Sequence, residues 1–144
     1  MSRWAASTRE KKGVFHMKTT GVIGLGDMGS GLAKNLLKSG FKVSGLDLNA
    51  ERLKAFTEMG GNPASSLADL ARHSDVVFVM VMSGDQAKSV ILGDDGLGAH
   101  LEEGSAILLS ATIKPHEARD IGVALDGSGI HLIDPPVSGG YPGA

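Results

Sequence analysis

The stretch Gly21-Val22-Ile23-Gly24-Leu25-Gly26-Asp27-Met28-Gly29-Ser30-Gly31 constrains the fold more than any other part of this chain. A short apolar run with Val22 and Ile23 reads as a buried strand, breaks at Gly24, and gives way to a helical pattern at about Met28. Gly24, Gly26 and Gly29 have the G-x-G-x-x-G spacing of a strand-to-helix turn that receives the phosphates of a dinucleotide. Each glycine has its own steric role. Gly24 turns the chain tightly, Gly26 lets backbone approach a pyrophosphate, and Gly29 lets helix pack on strand. The helix would then present free N–H groups and about half a positive charge to the phosphates. In a chain with 21 glycines the spacing alone is weakly specific, so its context decides what it means.

That context is a regular alternation of elements. A strand from Thr19 to Gly24 leads to a helix from Met28 to Ser39, expected to bury Met28, Leu32, Ala33 and Leu36 and to stop at Gly40. Phe41 to Leu46 alternates with the period of a strand and ends at Asp47. Asn49 caps a helix over Ala50 to Met59, and Ser66-Leu67-Ala68-Asp69 resembles a capping box. Val76 to Met82 has no polar face, as expected of a central parallel strand covered on both sides. A helix over Gly84 to Leu92 precedes the turn-rich Gly93-Asp94-Asp95-Gly96, and Ser105 to Ser110 reads as another buried strand. Pro115 suits the first turn of a helix to about Leu125, and Ile130 to Asp134 reads as the next strand. Strands alternating with helices predict an α/β fold, a Rossmann-type doubly wound parallel sheet.

The 144 residues suffice for one domain, here 17–144. Residues 1–16 are polar and basic, lack the apolar core of a secretory signal, and are expected to be a disordered leader, with Met17 as the natural start. A net charge of −2 gives no reason to expect nucleic acid as a partner, and the apolar runs are too short for a membrane span. The absence of cysteine excludes disulfides, thiolate metal sites and a cysteine nucleophile, and fits a reducing, cytoplasmic compartment. No two of the 5 histidines share a ligand-like spacing, so no metal site is expected. His116, near Thr112, reads as a surface helix residue.

A dinucleotide turn calls for an acid about twenty residues further on, at the end of the second strand. Asp47 stands there. Its carboxylate can accept both hydroxyls of the adenosine ribose and would repel a 2′-phosphate, so NAD is expected in preference to NADP. Arg52, five residues on, is the feature that could accommodate that phosphate. FAD is disfavoured because little of the chain is left to hold a flavin. Further along, Ser138-Gly139-Gly140 sets a hydroxyl before two flexible residues whose N–H groups can form a concavity, a plausible carboxylate cradle.

The opening turn, the following Ala33-Lys34-Asn35-Leu36, then Asp47-Leu48-Asn49, Thr112-Ile113-Lys114-Pro115 and Asp134-Pro135-Pro136-Val137-Ser138-Gly139-Gly140 together resemble the β-hydroxyacid dehydrogenases. That family includes 3-hydroxyisobutyrate dehydrogenase, tartronate semialdehyde reductase and their relative 6-phosphogluconate dehydrogenase. The resemblance implies cofactor contacts from Gly24, Leu25, Gly26, Asp27, Met28, Gly29, Asp47, Leu48, Asn49 and Thr112. It implies others from Val81, Met82 and Gln86, where Val81-Met82 replaces the family's usual Leu-Pro. Ser138, Gly139 and Gly140 would hold the substrate carboxylate beside the nicotinamide. The implied reaction moves a hydride between NAD and a small 3-hydroxy acid. The family's base is a Lys, with an Asn four residues beyond it, on the helix after the nucleotide domain. Neither has a counterpart here, Lys88 and Lys114 do not match, and no catalytic residue is expected in this chain, which ends before the family's dimerising helical domain. The full-length protein would thus be a homo-oligomer. The competing expectations are a stand-alone NAD-binding or sensing module, and an imine or semialdehyde reductase on the same scaffold.

Overall fold

In the computed structural model, residues 19–109 and 113–133 are described. They form β1 (Thr19–Ile23), α1 (Asp27–Lys38), β2 (Val43–Leu46), α2 (Ala50–Glu58), β3 (Asn62–Pro63) and α3 (Leu67–Arg72). There follow β4 (Ser74–Val79), α4 (Gly84–Leu92), α5 (Leu97–His100), β5 (Ala106–Leu109), α6 (Pro115–Ala124) and β6 (His131–Ile133). The strands make one parallel sheet in the order β3-β2-β1-β4-β5-β6. The chain starts at the centre, winds outward to β3, crosses back and winds outward again through β6. The doubly wound Rossmann expectation is therefore met, and the order reverses between β1 and β4.

Alternate residues of each strand supply the two halves of the core. Val22 packs with Leu25, Ala33, Val43 and Phe56 on the side covered by α1 and α2. Ile23, Val77, Val79, Ile107 and Leu109 point the other way, to Leu70, Ile91, Leu97 and Ile121. The ring of Phe56 fills space left by two glycines, since a methyl group on Gly45 or Gly61 would collide with it. No helix among the described residues is long and apolar enough to cross a membrane.

Several local expectations need correction. Met28 is 72% exposed, not buried. It sits in the first turn of α1, where Gly29 is the residue packed against the Gly24 turn and Met28 is turned to solvent. β4 ends at Val79, earlier than the apolar run suggested. The Met80 N–H still donates to the Ile23 carbonyl at 2.8 Å, after which the chain leaves the ladder to reach the cap of α4. Short β3 and α5 were not expected at all. β3 is an edge strand of two residues ending in Pro63, and proline is tolerated at an edge.

The predicted caps are present with one change of partner. Asn49 accepts the Arg52 N–H at 3.0 Å, and Ser66 accepts the Asp69 N–H at 3.0 Å. The Asp69 carboxylate takes its bond from the Ser65 N–H, one residue before the cap. That bond, opposed by burial and aided by the Ser65 hydroxyl, His73 and Arg72, holds the Asp69 carboxyl below its ordinary value.

Candidate functional site

The loops that follow β1, β2 and β4 leave three neighbouring strands at the same edge of the sheet. They carry the glycine turn, Asp47-Leu48-Asn49, and Val81 to Gln86 respectively. Parallel strands all end on one edge, so the topology brings together segments that lie far apart in sequence.

The three turn glycines are held by different neighbours. Gly24 has φ +94°, and a side chain there would run into the Met80 carbonyl oxygen. A methyl group on Gly29 would overlap the Gly24 carbonyl oxygen, which sets how closely α1 packs on the turn. Gly26 differs, because among the described residues a methyl group there would approach only the Arg52 guanidinium, 3.8 Å away. The fold itself therefore requires Gly24 and Gly29, whereas no backbone among the described residues comes within 4 Å of a methyl group at Gly26. Gly26 is also the N-cap of α1 and offers no side-chain cap to the first-turn N–H groups. Clear space over a helix start with available donors suits a diphosphate, and the residues present fit the expected dinucleotide.

Asp47 lies beside this turn. Its Oδ2 accepts the Leu25 N–H at 2.6 Å, and its Oδ1 accepts the Asn49 N–H at 2.7 Å. The side chain is only 9% exposed. Arg52 Nη1 stands 3.9 Å from Asp47 Oδ2, a long ion pair whose guanidinium also overlooks Gly26. Leu48 is fully exposed, and Met28 and Met82 are largely so. They give this edge an apolar lining beside its charged groups. Asp27 is exposed in the first turn of α1, where its charge favours the helix start.

Some expected contact residues have structural partners here. Asn49 spends its side-chain oxygen on the cap of α2. Gln86 accepts the Met82 N–H at 2.8 Å through Oε1, while Ser83 accepts the Gln86 N–H at 3.2 Å. These two bonds tie the β4–α4 loop to the start of α4. Val81 is half-buried and packs on the core. His116 is exposed in the first turn of α6, as expected of a surface residue. Thr112, Ser138, Gly139 and Gly140 lie outside the described residues, as does the leader 1–16.

Two features were not read from the sequence. The Leu25–Asp47 bond joins residues 22 apart and involves a backbone donor, so no side-chain pattern announces it. Glu117 accepts the Lys114 N–H at 2.9 Å at the start of α6, and its carboxyl group also fills the space beside Gly84 at the start of α4. Pro115 followed by an acid two residues later was a signal for the first bond but not for the second.

The fold, the glycine turn and Asp47 define a Rossmann-type dinucleotide-binding domain. Residues 19–144 match the model of the NAD-binding domain of 6-phosphogluconate dehydrogenase, and the chain belongs to that family. An L-threonate dehydrogenase of Cupriavidus necator is 41% identical over 123 residues, which cover 85% of this chain and 41% of the relative. A 3-hydroxyisobutyrate dehydrogenase of Salmonella typhimurium superposes with a TM-score of 0.77 at 32% identity, covering 85% of this chain and 42% of that one. An imine reductase of Myxococcus stipitatus in complex with NAD+ superposes with a TM-score of 0.74 at 26% identity, covering 81% and 40%. The chain thus spans about two fifths of the length of the relatives it matches. It is an NAD-binding domain of the 6-phosphogluconate dehydrogenase type.

Proposed function

We propose that the whole protein to which this domain belongs transfers a hydride between NAD and a small 3-hydroxy acid. The observation that carries the reading is the contrast within the turn: Gly24 and Gly29 are required by neighbouring backbone, while a methyl group on Gly26, at the start of α1, would meet no backbone among the described residues. That pattern leaves room for a diphosphate where the helix start favours negative charge. Asp47 stands at the strand end where a carboxylate selects ribose hydroxyls, which favours NAD over NADP. Leu48, Val81, Met82 and Gln86 would flank the adenosine half, and Thr112 would lie near the nicotinamide.

Bound NAD supplies the hydride acceptor, and this chain's residues supply binding and orientation. Ser138, Gly139 and Gly140 would hold the substrate carboxylate, so that the alcohol carbon faces the nicotinamide. The base that takes the hydroxyl proton would come from a helix following this domain, as the resemblance to the β-hydroxyacid dehydrogenases implies. A helical domain beyond these residues would also close the cleft and form a homo-oligomer. The cysteine-free composition supports a cytoplasmic setting. The similarity to an imine reductase keeps that chemistry as the second reading, with the same cofactor site and a different proton donor.

The test is to titrate this chain with NAD and then offer it short 3-hydroxy acids. Saturable NAD binding without turnover is expected. Turnover by these 144 residues alone would overturn the placement of the base outside them.

A further inference from the structure

Asp47 does more than wait for a ribose. Both of its carboxylate oxygens already take backbone N–H bonds, one from Leu25 in the middle of the glycine turn and one from Asn49 at the start of the next loop. The Leu25 bond is the shorter at 2.6 Å, and it ties the end of β2 to the turn between β1 and α1. It links residues 22 apart in sequence. Leu25 itself is 3% exposed, packed with Val22, Ala33, Val43 and Phe56, so the turn is gripped by a side chain below and a carboxylate beside it. A charged acceptor makes such bonds about twice as strong as neutral ones.

We propose that Asp47 is a positioning residue for the diphosphate as well as a partner of the ribose. Its carboxylate latches the Leu25 N–H, and thereby fixes the Gly24-Leu25-Gly26 backbone in the shape that receives the cofactor's phosphates before any cofactor arrives. Each carboxylate oxygen has a second lone pair, so the ribose hydroxyls can bind without releasing the latch. Arg52, 3.9 Å from Oδ2, balances the carboxylate charge from the solvent side but makes no contact with the turn's N–H. The ligand half of this proposal rests on the dinucleotide reading of the site, whereas the latch itself does not.

The two roles of Asp47 predict opposite signs for a ligand that has the diphosphate and lacks the hydroxyls. Such a ligand is 2′,3′-dideoxyadenosine 5′-diphosphate, to be compared with ADP on the wild-type chain and on Asp47→Ala. If Asp47 served only the ribose, removing its negative charge would leave the dideoxy ligand unaffected or make it bind more tightly. The latch predicts weaker binding of the dideoxy ligand, by about tenfold, because alanine accepts neither backbone N–H bond. Amide hydrogen exchange of the ligand-free wild-type chain gives a test that needs no variant. The Leu25 N–H should be protected like a strand amide, and Asp47→Ala, which removes both acceptor oxygens, should deprotect it while leaving Val22 and Ala33 unchanged. Arg52→Met should leave Leu25 protected. A freely exchanging Leu25 amide in the wild type would overturn the latch. So would a Leu25 amide unaffected by Asp47→Ala, or an affinity loss confined to ADP. Failure of the wild type to bind ADP would overturn the dinucleotide reading instead, with the exchange result still deciding the latch.

Discussion

Gly26→Ala separates what the turn needs in order to fold from what it needs in order to bind. The backbone of Gly26 has φ −70° and ψ −163°, which alanine adopts freely. Among the described residues the added methyl group meets only the guanidinium of Arg52, at 3.8 Å, an ordinary contact with a half-exposed side chain. Alanine is a poorer N-cap than glycine by about 0.5–1 kcal/mol. It also removes about 0.4–1 kcal/mol of unfolded-state entropy. These nearly cancel, so the melting temperature should move by less than about 2 °C. The same methyl group occupies the approach of the diphosphate. Overpacking of about 1–3 kcal/mol corresponds to a loss of about five- to hundredfold in NAD affinity. Gly29→Ala is the control, since its methyl group would overlap the Gly24 carbonyl oxygen, a backbone atom that cannot step aside. It should cost about 1–3 kcal/mol of stability, lowering the melting temperature by about 3–10 °C. Thermal melts followed by circular dichroism, paired with calorimetric titration of NAD, measure both quantities. If Gly26→Ala binds NAD as well as the wild type, or is destabilised as much as Gly29→Ala, the division of labour among the glycines is refuted.

Asn49→Ala should lower stability by about 1 kcal/mol through loss of the cap on α2, read as a drop of about 3 °C in the thermal midpoint. Because the Asp69 carboxyl is held below its ordinary value, its bonds stabilise the fold above the unfolded value of about 3.9 and are lost as pH falls through the lowered folded value. Urea titrations at neutral pH and near pH 3 should therefore show a smaller acid-induced loss for Asp69→Asn than for the wild type. Asp47→Ala should weaken NAD binding and narrow the gap between NAD and NADP. Equal titration curves for the two cofactors in the wild-type chain would remove Asp47 from its assigned place.

The fold was legible because hydrophobic patterning and turn chemistry agreed. The long apolar run ending at Met82, Pro115 at a helix start, and the caps Asn49 and Ser66 all fell where the structure has them, within a few residues. Met28 was misplaced because helical periodicity locates a stripe but not the strand beneath it. β3 and α5 escaped because each is too short to show a period, and β3 exists only through pairing of Asn62 and Pro63 with β2. At the site, side-chain identities were visible and backbone partners were not. Asp47 could be picked out by its spacing, but its bond to Leu25 depends on where two loops meet. Asn49 and Gln86 looked like ligand contacts, and the structure gives their oxygens local partners.

The most direct test of the central claim is calorimetric titration of the 144-residue chain with NAD, alongside Gly26→Val as a folded comparison. A single saturable site in the wild type, displaced by ADP and lost in Gly26→Val although that chain still unfolds in one cooperative thermal transition, is the predicted result. A folded wild-type chain that takes up no NAD, or a Gly26→Val chain that binds it equally well, would contradict the assignment of this turn as the cofactor site.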